Sequence, residues 1–241
     1  MQNNRLNVRL LAFAFAAVCL SFLAACRKSP EEIAALISES EAAEIAEASV
    51  AERTAGATRP AVDMAAILET SLQTCGVPGD TSFQRSQSSA AAGYQYTFNL
   101  GWLVQCNDLN IPQSASVDVS GAGSFTTPHW SGSDQTAGNL TFTGLAPSAP
   151  DYIANGSYTL TGDLTGSLRR VDPTLACVSE ITLTTLTIRK SDYHITGGTG
   201  ALEITATNGQ GNSQTLSGTL VFNGDGTATV TVNGHSHTFQ L

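Results

Sequence analysis

The feature that most constrains the fold is a series of alternating segments that begins at Gly93 and continues to the C-terminus. In the first segment, apolar and aromatic side chains occupy every second position, and the positions between them are mostly polar. Side chains that alternate in this way line the two faces of a half-buried β-strand. The pattern recurs along the chain in ASVDVSG, NLTFTG, GSYTLTGDLTGSL, EITLTTLTIRK, ALEITAT, QTLSGTLVF and TATVTVN.

Short turn sequences separate these segments, and the clearest are GGTG, NGQGN and NGDGT. No helical pattern interrupts them, so a parallel βαβ topology is not expected. The sequence therefore predicts a mainly β fold of about eight or nine antiparallel strands, arranged as an up-and-down barrel or a β-sandwich. A docking helix and a helical spacer are expected to precede it.

The net charge of −9 argues against nucleic acid as a partner, because phosphates would be repelled. Only 13% of the residues are charged and 41% are hydrophobic, which excludes a charge-driven disordered chain. Many of the acidic residues lie between positions 31 and 52, so the β-domain itself is closer to neutral.

Two helices are predicted before the strands. Ser29 and Pro30 have the residue types of a helix start, and an Ala- and Glu-rich stretch continues to about Glu52. Its apolar stripe is weak, so we interpret it as a solvated, semi-rigid spacer; a coiled-coil or partner-binding helix is the alternative. The second helix is expected to pack against the β-domain, because an apolar face recurs at helical spacing in Met64, Ile67, Leu68, Leu72 and Cys75.

The N-terminus has the pattern of a signal peptide. Arg5 and Arg9 precede an uncharged run over residues 10–25. A helix of that length would be about 24 Å long, shorter than the hydrocarbon core of about 30 Å. A cleaved signal is therefore favoured over a membrane-spanning helix.

The run ends in Leu23-Ala24-Ala25-Cys26, which resembles the lipobox of bacterial lipoproteins. The resemblance implies cleavage before Cys26, acylation of its thiol and anchoring through the acyl chains. Arg27, in place of an aspartate, implies sorting to the outer membrane. The expected organisation is a signal peptide over 1–25, an acylated N-terminus and spacer over 26–59, and a helix plus all-β domain over 60–241.

Export places the remaining cysteines of the mature chain in an oxidising compartment, where a disulfide is expected. Cys75 ends the predicted docking helix and Cys106 ends the first long strand, so we predict that these two are paired. A Cys106–Cys177 bond is the alternative.

The C-terminal sequence NGHSHTFQL contains the candidate metal ligands. Asn233-Gly234 predicts a type I′ hairpin turn, which places His235 and His237 on one strand face, close enough to share a zinc ion. A third ligand could come from His129, His194 or a carboxylate such as Glu203. The alternative is that the two histidines pack at the rim of an apolar face.

Trp130, in the loop-like segment PHWSG, is the candidate ligand-binding aromatic, with Trp102 as a second platform for stacking on a sugar. No cofactor is expected, because no phosphate- or cofactor-binding motif is present.

Taken together, the sequence favours a membrane-anchored lipoprotein whose non-catalytic β-domain has a structural or binding role in the cell envelope. The membrane is the expected partner through the anchor, and a protein or small-molecule partner is left open. Two alternatives are a carrier that encloses a small apolar ligand or lipid in a barrel, and a metal-binding protein or enzyme that uses the C-terminal His-Ser-His.

Overall fold

The computed structural model describes residues 35–71, 75–89, 92–169 and 173–241. Residues 36–241 form one compact unit. The predicted signal peptide, Cys26 and the predicted helix start at Ser29 lie outside the described residues. Within them, no helix combines the length and the apolar character needed to cross a membrane.

The described chain consists of two helices, a short 3₁₀ turn and ten antiparallel strands. Helix α1 is Glu39–Val50, the turn is Glu52–Thr54 and helix α2 is Thr58–Ser71. The strands are β1 Pro78–Ser88, β2 Gly93–Cys106, β3 Pro112–Thr126, β4 Trp130–Thr143, β5 Asp151–Gly166, β6 Thr174–Arg189, β7 Ile195–Thr207, β8 Ser213–Phe222, β9 Thr227–Val232 and β10 His235–Gln240.

All ten strands belong to one sheet, in which each strand pairs with the next along the chain. The sheet is not closed, since the described strands β1 and β10 pair with no strand other than β2 and β9 respectively. The predicted mainly β, antiparallel architecture is therefore confirmed, with ten strands in place of eight or nine. The additional strand is β1, which has no fully buried position and whose sequence, PGDTSFQRSQS, is mostly polar.

The apolar face of the sheet lines a single core, into which both helices are packed. On β2, the side chains of Tyr94, Tyr96, Phe98 and Leu100 are buried, as the alternation predicts. The outer face carries hydroxyl side chains that bond across neighbouring strands, such as Thr205 with Thr215. Cross-strand pairs of this kind stabilise a sheet without adding charge.

Helix α1 is part of this core, so the interpretation of its sequence as a solvated spacer is wrong for the described residues. Its N-cap is Ser38, which forms a capping box with Glu41. Ile45 is 1% exposed, and the alanines at 42, 46 and 48 are buried as well. Because alanine side chains are small, the helix fits within a curled sheet whose strands from β3 to β10 surround it.

The break between the helices brings the chain back against the end of α1. A Cβ on Gly56 would lie 2.6 Å from the backbone carbonyl of Ser49, so only glycine fits at this close approach. The sequence TAGATRP over residues 54–60 predicts a break slightly too late, because α1 already ends at Val50 and α2 already begins at Thr58. Thr58 donates to the Val50 carbonyl oxygen over 2.5 Å and closes the connection.

Helix α2 packs against the sheet as predicted, with Met64 and Leu68 completely buried. Its buried Asp63 accepts hydrogen bonds from Arg59 on the same helix and from Arg85 on β1, at 3.0–3.2 Å. Two arginines around one carboxylate offset the free energy required to bury it. Leu72 lies outside the described residues.

Candidate functional site

The most concentrated set of charged side chains lies along α1. Four glutamates, which we call the carboxylate row, project from the helix toward the surrounding turns and strands; they are Glu39, Glu41, Glu44 and Glu47. Three of them follow one another at intervals of three residues, the spacing that places side chains on one helix face. These three positions are also the half-buried ones of an otherwise buried helix core, from residue 41 to residue 50.

Each member of the row contacts at least one basic side chain, and no basic side chain is shared between two members. Glu41 Oε1 lies 2.7 Å from Arg169, in the segment after β5, and Glu39 Oε2 lies 2.8 Å from His235 Nε2. Burial alone would raise the pKa of Glu41, but hydrogen bonds from Ser38 and the Arg169 guanidinium outweigh this effect and lower it.

The other two carboxylates bind histidines of separate parts of the sheet, one in the turn between β3 and β4 and one on β10. Glu44 Oε1 lies 2.9 Å from His129 Nδ1, and its second oxygen accepts a hydrogen bond from Trp130 Nε1 at 3.1 Å. Glu47 Oε2 lies 2.8 Å from His237 Nε2, and its other oxygen pairs with Arg53. The row therefore ties α1 to β10 and to the turn between β3 and β4.

Two open clefts run beside the row. One, of about 230 Å³, lies between His129, His237 and Arg53. The other, of about 470 Å³, lies between the start of α1 and the segment His235–His237. His237 and Glu44 line both clefts, so the two clefts adjoin along the helix.

The hairpin that carries His235 and His237 has the predicted geometry. Asn233 and Gly234 both have positive φ, as a type I′ turn requires, and His235 faces Val232 while His237 faces Val230. The histidines project together, but each binds a different glutamate. Among the described residues, no group of three or more His, Cys, Asp or Glu side chains is arranged to hold a metal ion.

The predicted third ligands lie elsewhere or are already engaged. His129 shares a cleft with His237 but binds Glu44. His194 lies in the connection between β6 and β7, and Glu203, on β7, is exposed opposite Glu180 of β6.

The expectation that Trp130 is an exposed stacking platform is wrong. It is 3% exposed and begins β4, with its indole nitrogen bonded to Glu44. Trp102 is half-buried beside Gly79, where a Cβ would lie only 2.4 Å from the indole ring. The Trp130 ring therefore presents no open face of the kind that stacks on a sugar.

The cysteines are arranged as predicted. Cys75 and Cys106 form a disulfide with a Cα–Cα distance of 5.7 Å. Cys177 is a free, buried thiol. Burial raises the pKa of Cys177 to about 11, an effect that a hydrogen bond with Ser179 partly opposes. At neutral pH it is therefore a thiol, which is a poor nucleophile.

Sequence reasoning missed the carboxylate row, although the spacing of three residues between Glu41, Glu44 and Glu47 was visible in the sequence. It also missed Asp134, which occupies the same strand face of β4 as Leu140 and Phe142 and is 8% exposed. The sequence did contain a signal for this burial, because Asp134 falls on the same alternating positions of the strand as the apolar residues Leu140 and Phe142.

The interior has no room for a sizeable ligand in the part of the chain that the structure describes. The helices occupy it, and the cavity beneath α1 has a volume of about 20 Å³. Pockets for small ligands are typically about 300–1,000 Å³. Comparison with known protein families, with characterised proteins and with solved structures gives no match.

Proposed function

We propose that this protein is a membrane-anchored lipoprotein whose non-catalytic β-domain has a structural or binding role in the cell envelope. One observation carries the proposal beyond the N-terminal pattern: α1, the described helix nearest in sequence to Cys26, is part of the core of the domain. Ile37 is already 1% exposed, only a short distance along the chain from Cys26. The folded core therefore begins close in sequence to the proposed anchor.

The arrangement of the polar groups also favours a structural role over catalysis. The glutamates of the row and the histidines that they bind connect α1 to the sheet. The free thiol is buried and protonated. The carrier alternative has no support from the filled interior.

The anchor is tested by mass and location. Intact mass of the membrane-extracted protein is expected to show a chain that begins at Cys26 and carries acyl groups. Cys26→Ser is expected to leave the membrane fraction, whereas the control Cys19→Ser, inside the signal, is expected to remain anchored. Retention of residues 1–25 in the purified protein, or membrane association of Cys26→Ser, would contradict the proposal.

A binding role is best tested at the end of the sheet where β2 joins β3. Leu109 is 78% exposed there, and Ile111, two positions further along the chain, is exposed as well. Val77 is also exposed and lies close in sequence to Cys75, which the disulfide joins to Cys106. Asn107 holds the loop by accepting hydrogen bonds from the amides of Leu109 and Ile111 at 3.0 Å. A rigid loop loses little conformational entropy when it binds.

A photo-cross-linking residue at position 109, in cells, is expected to capture one defined envelope protein. The matched position is Thr97, exposed on the outer face of β2. Absence of a cross-linked product at 109, or the same products at 109 and 97, would exclude binding through this loop. The purely structural role would then be the version of the proposal that remains.

A further inference from the structure

A buried carboxylate lies under the last turns of α1. Asp134 Oδ2 accepts a hydrogen bond of 2.6 Å from the Tyr96 hydroxyl. The second oxygen, Oδ1, is buried and has no hydrogen-bond partner among the described residues. A carboxylate in this position would be a charge with a single donor, which is unfavourable in a protein interior.

The cavity next to Asp134 separates it from the helix. Ala48 and Ser49 of α1 form one wall, and Cys177 and Ser179 of β6 form part of the other. The volume of about 20 Å³ is enough for one water molecule.

β5 approaches this site so closely that a Cβ on Gly162 would lie 2.7 Å from the Cβ of Asp134. The same Cβ would lie 2.1 Å from the Ser133 carbonyl oxygen, so the close approach of the two backbones requires glycine here.

The helix is held at the cavity by a buried hydrogen bond. Ser49 Oγ donates to Ser179 Oγ at 3.0 Å, and both residues are buried. The cavity also faces the C-terminal turns of α1, where the helix dipole is negative. A negative charge on Asp134 would therefore be repelled by the helix that it faces.

We propose that Asp134 and this cavity form a proton-linked contact that controls how firmly α1 is seated in the sheet. With Asp134 protonated, the neutral carboxyl group is compatible with the helix end and the small cavity. When the proton leaves, the charge requires more water than a cavity of about 20 Å³ holds, and the opening of α1 that admits it also exposes Cys177. This contact is a property of the folded domain and does not depend on acylation of Cys26.

Asp134 is the group at the cavity that titrates near neutral pH. Burial raises its pKa to about 6, and the hydrogen bond from Tyr96 partly opposes the rise. The other ionisable side chains that face it are Tyr96 from β2, Tyr158 from β5 and Cys177 from β6. Burial raises the pKa of each, so all three remain neutral up to pH 8. The residues of α1 at the cavity carry no ionisable group.

The experiment follows alkylation of Cys177 in the full-length mature protein, quantified on its peptide by mass spectrometry. Asp134→Asn keeps the shape and the bond to Tyr96 but cannot ionise. Dividing the wild-type rate by the Asp134→Asn rate cancels the pH dependence of the thiol itself. With a carboxyl pKa of about 6 in the seated state and 3.8 in the open state, the ratio is expected to rise about tenfold from pH 5 to pH 7 and then level off.

Asp163→Asn is the matched control, because Asp163 lies on neighbouring β5 but faces outward. Its alkylation profile is expected to equal that of the wild type. Hydrogen exchange from pH 5 to pH 7 is divided by the intrinsic, base-catalysed rate of each amide, and protection is then expected to fall at the amides of α1 and not at those of β5 and β6. A ratio that stays constant with pH, or an equal loss of protection in the sheet, would overturn the proposal.

A second variant keeps the test decisive if Asp134→Asn does not fold. Tyr96→Phe removes the hydrogen bond that lowers the pKa of Asp134. The pH at which Cys177 becomes more accessible, after correction with a free-thiol standard, is therefore expected to move upward. An unchanged midpoint in a folded Tyr96→Phe protein would refute the role of Asp134.

Discussion

Ile45 provides the sharpest test of whether α1 belongs to the core. The side chain is 1% exposed and lies against the sheet beside the cavity. Ile45→Ala removes three methyl or methylene groups, which are worth about 0.8 kcal/mol each when buried. An added cavity term brings such substitutions to about 2–5 kcal/mol, and the better helix propensity of alanine returns less than about 0.7 kcal/mol.

The net expectation is a loss of about 3 kcal/mol in the free energy of unfolding. Urea denaturation of the detergent-solubilised mature chain, followed by tryptophan fluorescence, measures it. Leu109→Ala is the control, because Leu109 is 78% exposed and its truncation is expected to change stability by no more than about 0.5 kcal/mol.

The two interpretations of α1, as a core helix and as a solvated spacer, predict different changes in the free energy of unfolding for Ile45→Ala. In a solvated spacer helix, alanine would leave stability unchanged or increase it slightly, because its helix propensity is higher. An unfolding midpoint equal to or above that of the wild type would therefore refute the placement of α1 in the core.

Two further predictions concern the disulfide and the buried tryptophan. Replacing Cys75 and Cys106 by serine opens a loop with a sequence separation of 31; for that length, chain entropy predicts a loss of about 3.7 kcal/mol, measured by urea denaturation. Reductant is expected to lower the free energy of unfolding of the wild type by the same amount and to leave that of the double variant unchanged. An equal effect of reductant on both proteins would contradict the assignment of this disulfide. Trp130→Phe removes the hydrogen bond to Glu44 and is expected to lower stability by about 1.5–3 kcal/mol; a change below about 0.5 kcal/mol would show that the indole is not held there.

The strands from β2 onward could be predicted because their signal is local. Alternation of apolar and polar residues defines two faces, and Asn233-Gly234 fixes the register of the last hairpin. The pairing of Cys75 with Cys106 also followed from position, since each ends an element that was visible in the sequence. β1 was not predicted because its half-buried face needs few apolar residues. Phe83 is the only large apolar side chain in this strand, so no alternation of apolar and polar residues is visible.

The site depended on long-range contacts that no local pattern contains. Glu44 and His129 are 85 positions apart, and Glu47 and His237 are 190 apart. The two histidines were correctly placed on one face of β10, but the sequence did not reveal that a glutamate helix lies against them. Trp130 was taken as exposed because its neighbours resemble a loop, whereas Glu44 and the core enclose it.

The sequence by itself determined an antiparallel β-domain, the disulfide and a helix that packs on the sheet, because alternation, turn residues and helical periodicity are properties of adjacent positions. Only the tertiary structure decided that α1 is enclosed by the sheet. Alanine favours a solvated helix and a tightly packed one equally, since it has high helix propensity and almost no volume. The curvature of the sheet makes that choice, and with it places Asp134 under the helix and the carboxylate row against the histidines.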